Sequence, residues 1–454
     1  MDKKKILAKI ENCTARTGVI GLGYVGLSLM LAIARAGFHV TGIDNSKSKI
    51  ASLKSGLSDL PSVSDRELAT FIESKRIEVT NDYSVLNDLD TIHICVPTPL
   101  RKDKIPDLQY IITAVEQIAK YLCREQLIVL ESTTYPGTTE EIALSRLATQ
   151  TNMRVGEDFY LAFSPERIEP GNKSYMMSNT PKIVGGITPE CTYLAKTFYE
   201  QFISKVYPVS SSRVAEMVKL LENTFRYVNI GFINEMALIC DKMELDIWEV
   251  INAASTKPFG FMPFYPGPGP GGHCIPIDPH YLSWKAKSYQ LDTRFIELAC
   301  EINSKMPSYV LDKIIHALNY SRKALNGSKI LVLGVSYKKD VADTRESPAL
   351  EVIRLIADSG GEVVYHDPYV SQFSLVECDS AQKASEKIYH CQPLTESLLK
   401  SVDCVVILTD HNAIDYTSVV RGASLIVDAR NATESVFVEQ KTTNTTHWGK
   451  IIKI

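Results

Sequence analysis

One loop of this sequence carries several reactive side chains. In the stretch GPGPGGHCIPIDPHYL, residues 267–282, four glycines and two prolines precede His273 and Cys274, and Asp278 and His280 follow the cysteine. Neither a helix nor a strand continues through alternating glycine and proline, because glycine is conformationally free and proline lacks a backbone N–H. The cysteine could bind a metal, attack a substrate, or be an inert thiol.

Each interpretation of Cys274 makes a different demand on its neighbours. A buried, inert thiol is the usual state of a free cysteine. A zinc site fits poorly, because His273 and Cys274 are adjacent and would tend to point apart, leaving Asp278 and His280 to complete the set. A nucleophile requires the thiolate form, which a nearby cation such as Lys219 would favour, and Asp278 could order a water or accept a proton. We therefore expect a nucleophile and no metal.

A second pattern, near the N-terminus, predicts a dinucleotide site. Gly21, Gly23 and Gly26 form a GxGxxG motif between a predicted strand and a predicted helix, and Asp44 ends the next strand. The glycines permit a tight turn and the close approach of a pyrophosphate to the helix N-terminus. An acidic residue at the end of the second strand suits a ribose 2′-hydroxyl and would repel a 2′-phosphate, so the pattern predicts NAD. The alternative is a glycine turn used only for packing.

Two further segments, CVPTP and ESTTYPG, place polar residues after predicted strands, where ligands bind in open α/β sheets. Ordinary turn chemistry explains any one of these residues equally well. In the second half of the chain only Gly334 stands in the place of the glycine motif, so the ligand expected there is another nucleotide rather than a second dinucleotide. The predicted cofactor site comprises Gly21, Gly23, Tyr24, Val25, Gly26, Asp44, Pro97, Thr98, Ser132 and Thr133.

Lys219 and Asn223 are spaced four residues apart in a long amphipathic segment, so they share one face of a helix. The segment, residues 210–254, contains no proline and repeats apolar residues at helical intervals, which predicts a helical spine packed between domains or subunits. On spacing alone, a solvated polar stripe is the better explanation of the pair.

The elements that would position these residues follow a regular order. Short β-branched runs alternate with helical patterns from RTGVIGLG to SKVYPVS, and the alternation returns after the spine in SKILVLGVSYK, GEVVYHDP, DCVVILTDH and ASLIVDAR. We predict an α/β fold in which two doubly wound Rossmann-like domains with parallel sheets are joined by a long central helix. The similar order of the two halves indicates an internal repeat, and a cleft between the domains would suit two ligands.

The composition excludes several classes of protein. A net charge of −4 offers no basic field for nucleic acid, and the ten cysteines form no CxxC pair, which argues against a secreted disulfide scaffold. The apolar run at 19–36 contains the glycine motif and no clear signal-peptidase site, and no other run is long enough to span a bilayer. We expect a cytoplasmic protein without nucleic-acid or membrane partners.

Seven motifs in this order resemble the UDP-glucose/GDP-mannose dehydrogenase family: GLGYVGL, CVPTP, ESTTYPGTT, SPERIEPG, EMVKLLENTFRYVNIGFINE, GGHCIPIDP and SYKKDVADTRESPALE. The resemblance covers nearly the whole chain. It implies that the C6 alcohol of a nucleotide sugar is oxidised to a carboxylate, with two NAD used in succession and no release of the aldehyde. It also implies an NAD-binding domain at 1–209, a spine with the sugar loop and dimerisation region at 210–305, and a UDP-sugar-binding domain at 306–454.

The resemblance further implies roles for individual residues. Cys274 takes the role of the nucleophile that captures the aldehyde and forms a thioester. Lys219 and Asn223 match a pair that stabilises charge on the substrate oxygen, and Asp278 matches a residue that assists thioester hydrolysis. This match replaces the solvated stripe as the preferred explanation of the pair.

Other matched residues would hold a water or the substrate. Thr133 and Glu166 match residues that hold the water serving as base or nucleophile, and Lys338 and Arg345 match positions that meet the nucleotide sugar from the C-terminal domain. The implied substrate-binding residues are Glu166, Arg167, Lys219, Asn223, Phe264, Gly271, Lys338 and Arg345.

Two departures from the family pattern favour an N-acetylhexosamine over glucose. Pro170, beside Glu169, replaces a second glutamate, and Pro258 stands where glucose dehydrogenases carry an arginine. The resemblance therefore ranks UDP-N-acetylglucosamine first and UDP-glucose second, with UDP-N-acetylmannosamine and GDP-mannose behind. It also implies a homodimer or higher homo-oligomer formed through the long helix, and a product used for bacterial surface polysaccharide such as lipopolysaccharide O-antigen. The rival hypotheses are a two-electron zinc alcohol dehydrogenase and an NAD-sensing scaffold without chemistry.

Overall fold

The computed structural model describes residues 3–58, 60, 63–101, 103–168, 174–272, 274–378, 384–434, 436 and 450–454. The chain divides into two compact units, which we call the N-terminal unit (Met1–Glu222 with His280–Asp292) and the C-terminal unit (Asn223–Pro279 with Thr293–Ile454).

The N-terminal unit is built on a sheet of eight strands. These are β1 (Arg16–Ile20), β2 (His39–Ile43), β3 (Ile77–Thr80), β4 (Thr91–Ile94), β5 (Leu127–Leu130), β6 (Tyr160–Phe163), β7 (Lys182–Gly186) and β8 (Val206–Pro208). Their order across the sheet is β3-β2-β1-β4-β5-β6-β7-β8. The central strands are buried along their whole length, as expected for continuous apolar runs covered on both faces.

The α-helices between these strands and before β1 are α1 (Lys3–Glu11), α2 (Tyr24–Arg35), α3 (Lys47–Lys54), α4 (Asp65–Glu73), α5 (Gln109–Tyr121), α6 (Ser145–Thr151) and α7 (Pro189–Tyr199). The unit also contains a 3₁₀-helix at Tyr83–Asp88 and a π-helical segment at Thr139–Leu144. The apolar run at 19–36 therefore belongs to β1 and α2, whose side chains contribute to the buried core.

The sheet differs from the predicted all-parallel arrangement at one pair of strands. β6 and β7 are antiparallel, whereas every other neighbouring pair is parallel. The described residues between β6 and β7 form no crossover helix, and an antiparallel pair needs none because its strands can be joined by a loop. That loop carries Glu166 and Arg167.

The C-terminal unit contains a second sheet with a related order. Its strands β9 (Lys329–Leu333), β10 (Glu362–His366), β13 (Cys404–Ile407), β14 (Ile426–Asp428) and β15 (Ile451–Lys453) are parallel, in the order β10-β9-β13-β14-β15. In both sheets the first strand lies between the second and a later strand, as the predicted internal repeat requires. An antiparallel hairpin of β11 (Gln372–Cys378) and β12 (Ala384–His390), which we did not predict, follows β10.

The predicted spine is two helices rather than one. α8 (Ser212–Lys242) and α9 (Ile247–Ala254) are separated because Glu244 adopts a left-handed backbone with φ of 57°, and Leu245 N donates to Cys240 O at 2.8 Å. Asp246 then caps α9 by accepting a hydrogen bond from Trp248 N. α8 begins in the N-terminal unit and continues into the C-terminal unit.

The remaining helices are α10 (Asp278–Lys287), α11 (Arg294–Tyr320), α12 (Pro348–Asp358), α13 (Glu396–Ser401) and α14 (Tyr416–Gly422). Within the ranges given above, we find no helix with the length and apolar character needed to cross a membrane.

Candidate active site

The glycine motif forms the turn between β1 and α2. Gly21 has a φ of +88°, and a Cβ there would lie 2.6 Å from the Cys95 carbonyl oxygen. A Cβ on Gly26 would collide with the Gly21 carbonyl oxygen, whereas the Cβ position of Gly23, the N-cap of α2, has no atom within 4 Å. The first and third glycines therefore serve the turn and the helix packing, and the second leaves open space for a pyrophosphate at the helix N-terminus.

Asp44 is fixed beside this turn, as predicted. Its carboxylate accepts hydrogen bonds of 2.9 Å from Leu22 N and Ser46 N, and Lys49 Nζ lies 3.7 Å away. A carboxylate has about four acceptor positions, so Asp44 retains capacity for the hydroxyls of a ribose. Lys49 was not predicted, although its place one turn into α3 follows from the sequence.

The polar residues after β4 and β5 are partly used in holding the strand ends together. Ser132 Oγ donates to two carbonyl oxygens at the end of β4, at 2.7 and 3.3 Å. Thr98 O accepts a hydrogen bond of 3.0 Å from the hydroxyl of Tyr281. Thr133 is half-buried and Pro97 is exposed. The cofactor role of these four residues stays a prediction.

Lys219 and Glu166 meet in the N-terminal unit. Lys219 Nζ donates a 2.6 Å hydrogen bond to the backbone carbonyl of Glu166, and both residues are buried. Glu166 Oε1 accepts from Arg167 N and Ile168 N, each at 2.6 Å. The explanation of Lys219 as part of a solvated stripe is therefore wrong, because its ammonium is held against the loop between β6 and β7.

The guanidinium of Arg167 is already bound to other groups of the protein. Its guanidinium makes a two-point ion pair with Glu222, at 2.5 and 3.2 Å, and donates to Pro181 O at 2.7 Å. Its predicted contact with substrate would compete with these partners.

A buried ion cluster, which we did not predict, lies next to Glu166. Lys182 Nζ is 2.8 Å from Glu131 Oε2 and 3.4 Å from Glu166 Oε2. His93 and Tyr199 contact the other oxygen of Glu131, at 3.1 and 2.6 Å. Burial raises the pKa of Glu131, but the Lys182 ammonium and the hydrogen bond with His93 outweigh it and bring the value to about 2. A lysine opening the apolar run KIVGG and a glutamate ending LIVLE were the available sequence signals.

The C-terminal unit brings together Asn223, Cys274 and Asp278. Asn223 Nδ2 donates to the Asp278 carboxylate, and the Arg226 guanidinium donates to Asn223 Oδ1, so the amide of Asn223 has a fixed orientation. Asp278 N donates to Cys274 O at 2.8 Å. Asn223 and Asp278 are 1% and 2% exposed, which excludes a solvated stripe, while Cys274 is half-buried. Sequence spacing gave no indication of Arg226.

The glycine-proline loop is anchored at both ends within the same unit. Gly267 N donates to the buried Asn234 Oδ1 at 3.1 Å, and Gly272 N donates to Arg345 O at 3.2 Å. Gly272 has a φ of +84°, and a Cβ there would lie 2.8 Å from the ring of Tyr337. The glycines thus allow the backbone preceding Cys274 to lie against the segment that carries Arg345.

Three predicted substrate residues of the C-terminal unit, Lys338, Arg345 and Gly271, have different contacts. Arg345 pairs with Asp343 at 2.6 Å, and the backbone carbonyl of Lys338 accepts from Ser336 Oγ at 3.0 Å. Gly271 is half-buried, and a Cβ on it would lie 2.7 Å from the Tyr337 Cβ.

Phe264 has a packing role in addition to its predicted contact with substrate. Its ring lies edge-on to Phe225, with centroids 5.8 Å apart, and it packs against a core cluster around Trp248.

Three charged residues, which follow β9, β13 and β14 in the chain, were missed. Arg430 Nε is 3.2 Å from Asp410 Oδ1, and Lys339 Nζ is 3.3 Å from the other oxygen of Asp410. Ligands in open α/β sheets bind at the carboxyl ends of strands, so these residues are further candidates for the predicted nucleotide site.

Several predicted features bear on metal binding and substrate choice. Glu169, Pro170 and His273 lie outside the described residues, and Pro258 is exposed.

Burial, followed by the charge of Lys104, lowers the pKa of His280 to about 4, so its imidazole is neutral at physiological pH. In the part of the chain that the structure describes, no three His, Cys, Asp or Glu side chains are grouped so that they could hold a metal ion.

Three domain models of one family match the chain. The NAD-binding domain of the UDP-glucose/GDP-mannose dehydrogenase family matches residues 15–203, its central domain 213–305, and its UDP-binding domain 331–435.

Individual relatives support the same assignment. A UDP-N-acetyl-D-glucosamine 6-dehydrogenase of Pseudomonas aeruginosa is 36% identical over 357 residues, which cover 78% of this chain and 83% of that protein. A UDP-N-acetyl-D-mannosamine dehydrogenase of Pyrococcus horikoshii is 35% identical over 423 residues, covering 92% and 95%.

Solved structures agree with the sequence relatives. The UDP-D-ManNAc dehydrogenase structure from Pyrococcus horikoshii superposes with a TM-score of 0.84 at 33% identity, covering 97% of this chain and 99% of that one. A UDP-glucose dehydrogenase structure from Pyrobaculum islandicum gives 0.80 at 25% identity, covering 93% and 95%. Together these matches confirm the enzyme class and the NAD cofactor inferred from the motifs. The chain belongs to the UDP-glucose/GDP-mannose dehydrogenase family and is an NAD-dependent UDP-sugar dehydrogenase.

Proposed function

We propose that this protein oxidises the C6 alcohol of UDP-N-acetyl-D-glucosamine to a carboxylate in two successive NAD-dependent oxidations, with the intermediate held as a thioester on Cys274. The observation that carries the proposal is the grouping of Asn223, Cys274 and Asp278 in the C-terminal unit. A nucleophile, an amide donor and a buried carboxylate are the groups that acyl chemistry at a thiol requires.

NAD, when bound, accepts one hydride in each oxidation. In the N-terminal unit, the open position at Gly23 and the N-terminus of α2 would hold its pyrophosphate, and Asp44 would accept from its ribose hydroxyls. The buried Lys219 ammonium would stabilise negative charge on the substrate oxygen. Thr133 and Glu166 would hold a water for proton transfer.

In the C-terminal unit, the Cys274 thiolate adds to the aldehyde carbon and forms the thiohemiacetal, which is the covalent state before the second oxidation. The thioester is the state after it. Water then attacks the thioester carbon, the C–S bond breaks, and the thiolate and a carboxylate are released, with one of the two protons of the water taken up by Asp278 and the other by bulk solvent. The hydrogen bond from Asn223 holds the Asp278 carboxylate in one direction for this step.

UDP-N-acetyl-D-mannosamine is the second candidate for the substrate, and the names of the relatives support it. The Pyrococcus horikoshii protein with that name matches a larger share of this chain than the Pseudomonas aeruginosa protein named for the glucosamine sugar, at nearly the same identity. The two sugars differ only in the configuration at C2. UDP-glucose is the third candidate.

The proposal is tested with a panel of UDP-N-acetylglucosamine, UDP-N-acetylmannosamine, UDP-glucose and GDP-mannose. We expect the highest kcat/KM with UDP-N-acetylglucosamine, two NADH formed per sugar consumed, and no effect of EDTA. A higher kcat/KM with the mannosamine sugar would reassign the substrate. One NADH per sugar, or loss of activity with EDTA, would contradict the thioester route.

We further propose that the enzyme works as a cytoplasmic homodimer and supplies a sugar acid for surface polysaccharide such as lipopolysaccharide O-antigen. The support for self-association is a row of exposed apolar residues along α8, since contiguous exposed apolar surface marks an interaction site. The row comprises Val214, Met217, Leu221, Phe225, Phe232 and Ile239.

A further inference from the structure

A buried lysine that the mechanism above leaves unused connects two carboxylates of the N-terminal unit. Lys182, the first residue of β7, is 4% exposed, and its Nζ lies 2.8 Å from Glu131 Oε2 and 3.4 Å from Glu166 Oε2. We propose that Lys182 is a positioning residue for the dehydrogenation, whose ammonium balances the charges of the Glu131 and Glu166 carboxylates and fixes the direction of the Glu166 carboxylate. The inference rests on the proposed role of Glu166 in holding the reactive water.

The contacts of Glu166 explain why Lys182 controls its direction. Glu166 Oε1 already accepts from two backbone N–H groups, those of Arg167 and Ile168. Lys219 donates to the backbone carbonyl of Glu166 and not to its carboxylate. Among the described residues, Lys182 is therefore the cation that contacts Glu166 Oε2. The Glu166 side chain is 11% exposed, so its ion pair with Lys182 is only weakly screened by solvent.

The charges of the cluster explain why an ammonium is required. Two carboxylates that share a buried site cannot both stay ionised without a cation, because each ionisation opposes the other. Glu131 is almost completely buried, and its pKa of about 2 reflects burial opposed first by Lys182 and then by His93. Burial lowers the pKa of Lys182, but the charges of Glu131 and Glu166 more than reverse this and raise it above its ordinary value. The ammonium and both carboxylates thus stabilise one another.

The other titratable groups facing this cluster come from four elements. They are His93 and Cys95 at the end of β4, Tyr199 on α7, Tyr24 on α2 and Lys219 on α8. His93 and Tyr199 both contact Glu131. Removal of the Lys182 ammonium leaves Glu131 and Glu166 without the cation that contacts both, which favours proton uptake by a carboxyl group.

The first measurement is the pH profile of kcat/KM for Lys182→Met, Lys182→Arg and the double variant Lys182→Met/Glu131→Gln. We expect Lys182→Met to lower kcat tenfold or more, with little change in the KM for UDP-sugar, and to shift the acidic limb of the profile to higher pH. Lys182→Arg should retain more activity. The double variant should recover part of kcat, because it restores the net charge of the cluster.

A matched control removes another largely buried, ion-paired lysine. Lys313 pairs with Asp241 in the C-terminal unit and has a side chain 14% exposed, so Lys313→Met should leave the pH profile unchanged. A wild-type profile for Lys182→Met, or no recovery in the double variant, would overturn the proposal.

The second measurement does not depend on turnover. A carboxyl group whose folded-state pKa is raised loses its stabilising contribution as pH rises through that pKa. The Tm deficit of Lys182→Met, measured on the full chain with NAD, should therefore grow between pH 5 and pH 8, and the deficit of the double variant should not. A pH-independent deficit would refute the charge-holding role. Wild-type enzyme that oxidises no UDP-sugar would instead refute the proposed function, while the Tm series would still decide the role of Lys182.

Discussion

At the scale of single residues, the decisive prediction concerns Cys274. If the aldehyde is held as a thiohemiacetal and then a thioester, Cys274→Ala removes the atom that carries both states. We expect uronate formation to fall about a thousandfold or more, as for other covalent nucleophiles, with NAD binding retained. The measurement is product analysis by chromatography with UDP-N-acetylglucosamine as substrate.

Cys391→Ala provides the control for this variant. Cys391 is a half-buried free cysteine of the same unit, and its thiol contacts the backbone carbonyl of Asp367 rather than any proposed catalytic residue. It should keep wild-type rates. Uronate formation by Cys274→Ala at the rate of the Cys391 control would exclude the thioester route.

The residues that the sequence identified and those that it missed differ in the range of their contacts. The glycine turn and Asp44 could be predicted because the motif and the end of the second strand lie within one β-α-β unit. Lys182 and Glu131, which were missed, are separated by 51 positions, so only the tertiary fold brings their side chains together. No periodicity of 2 or 3.6 residues encodes such a pair.

At the scale of elements, a buried carboxylate joins α8 to the loop that carries Thr133. Glu216 accepts hydrogen bonds from Gly137 N at 2.5 Å and from the backbone and hydroxyl of Thr139, at 2.8 and 2.7 Å. Burial raises the pKa of Glu216 to about 7, and the hydrogen bonds from Thr139 and Gly137 oppose this only in part. The carboxyl group of Glu216 therefore gains or loses its proton near neutrality.

This shift predicts a pH-dependent stability. The unfolded chain ionises Glu216 near its ordinary pKa of about 4.5, so the contribution of the protonated form is complete below that pH and is lost as pH rises towards 7. The loss amounts to about 3 kcal/mol over this range, since one pKa unit corresponds to about 1.4 kcal/mol. We expect Glu216→Gln to flatten the dependence of the unfolding free energy between pH 4.5 and 7, as measured by denaturant titration.

Glu235 supplies the matched control on the same helix. Its side chain is exposed, so Glu235→Gln should reproduce the wild-type slope. Equal slopes for Glu216→Gln and the wild type would show that the carboxyl group of Glu216 titrates at its ordinary pH.

The end of α8 could not be predicted from the sequence pattern. The break at Glu244 depends on a left-handed backbone conformation, which the uninterrupted apolar periodicity of 210–254 does not reveal.

At the scale of the whole molecule, the fold followed from the sequence because each unit repeats the same alternation of apolar strand and amphipathic helix. The hairpin of β11 and β12 did not, since its strands are short of buried apolar residues: Val376 and Ile388 are 59% and 58% exposed. A strand pair of this composition resembles a polar loop when only the sequence is considered.

The final prediction concerns association of two copies. Phe232, in the exposed apolar row of α8, is 54% exposed, and a charge placed in a buried apolar interface is costly unless it is paired. We expect Phe232→Glu to convert a homodimer into a monomer, as measured by size-exclusion chromatography with light scattering. Tyr320→Glu is the control, because Tyr320 is 87% exposed at the end of α11, outside the row. A dimer that survives Phe232→Glu, or a wild-type monomer, would exclude α8 as the dimerisation surface.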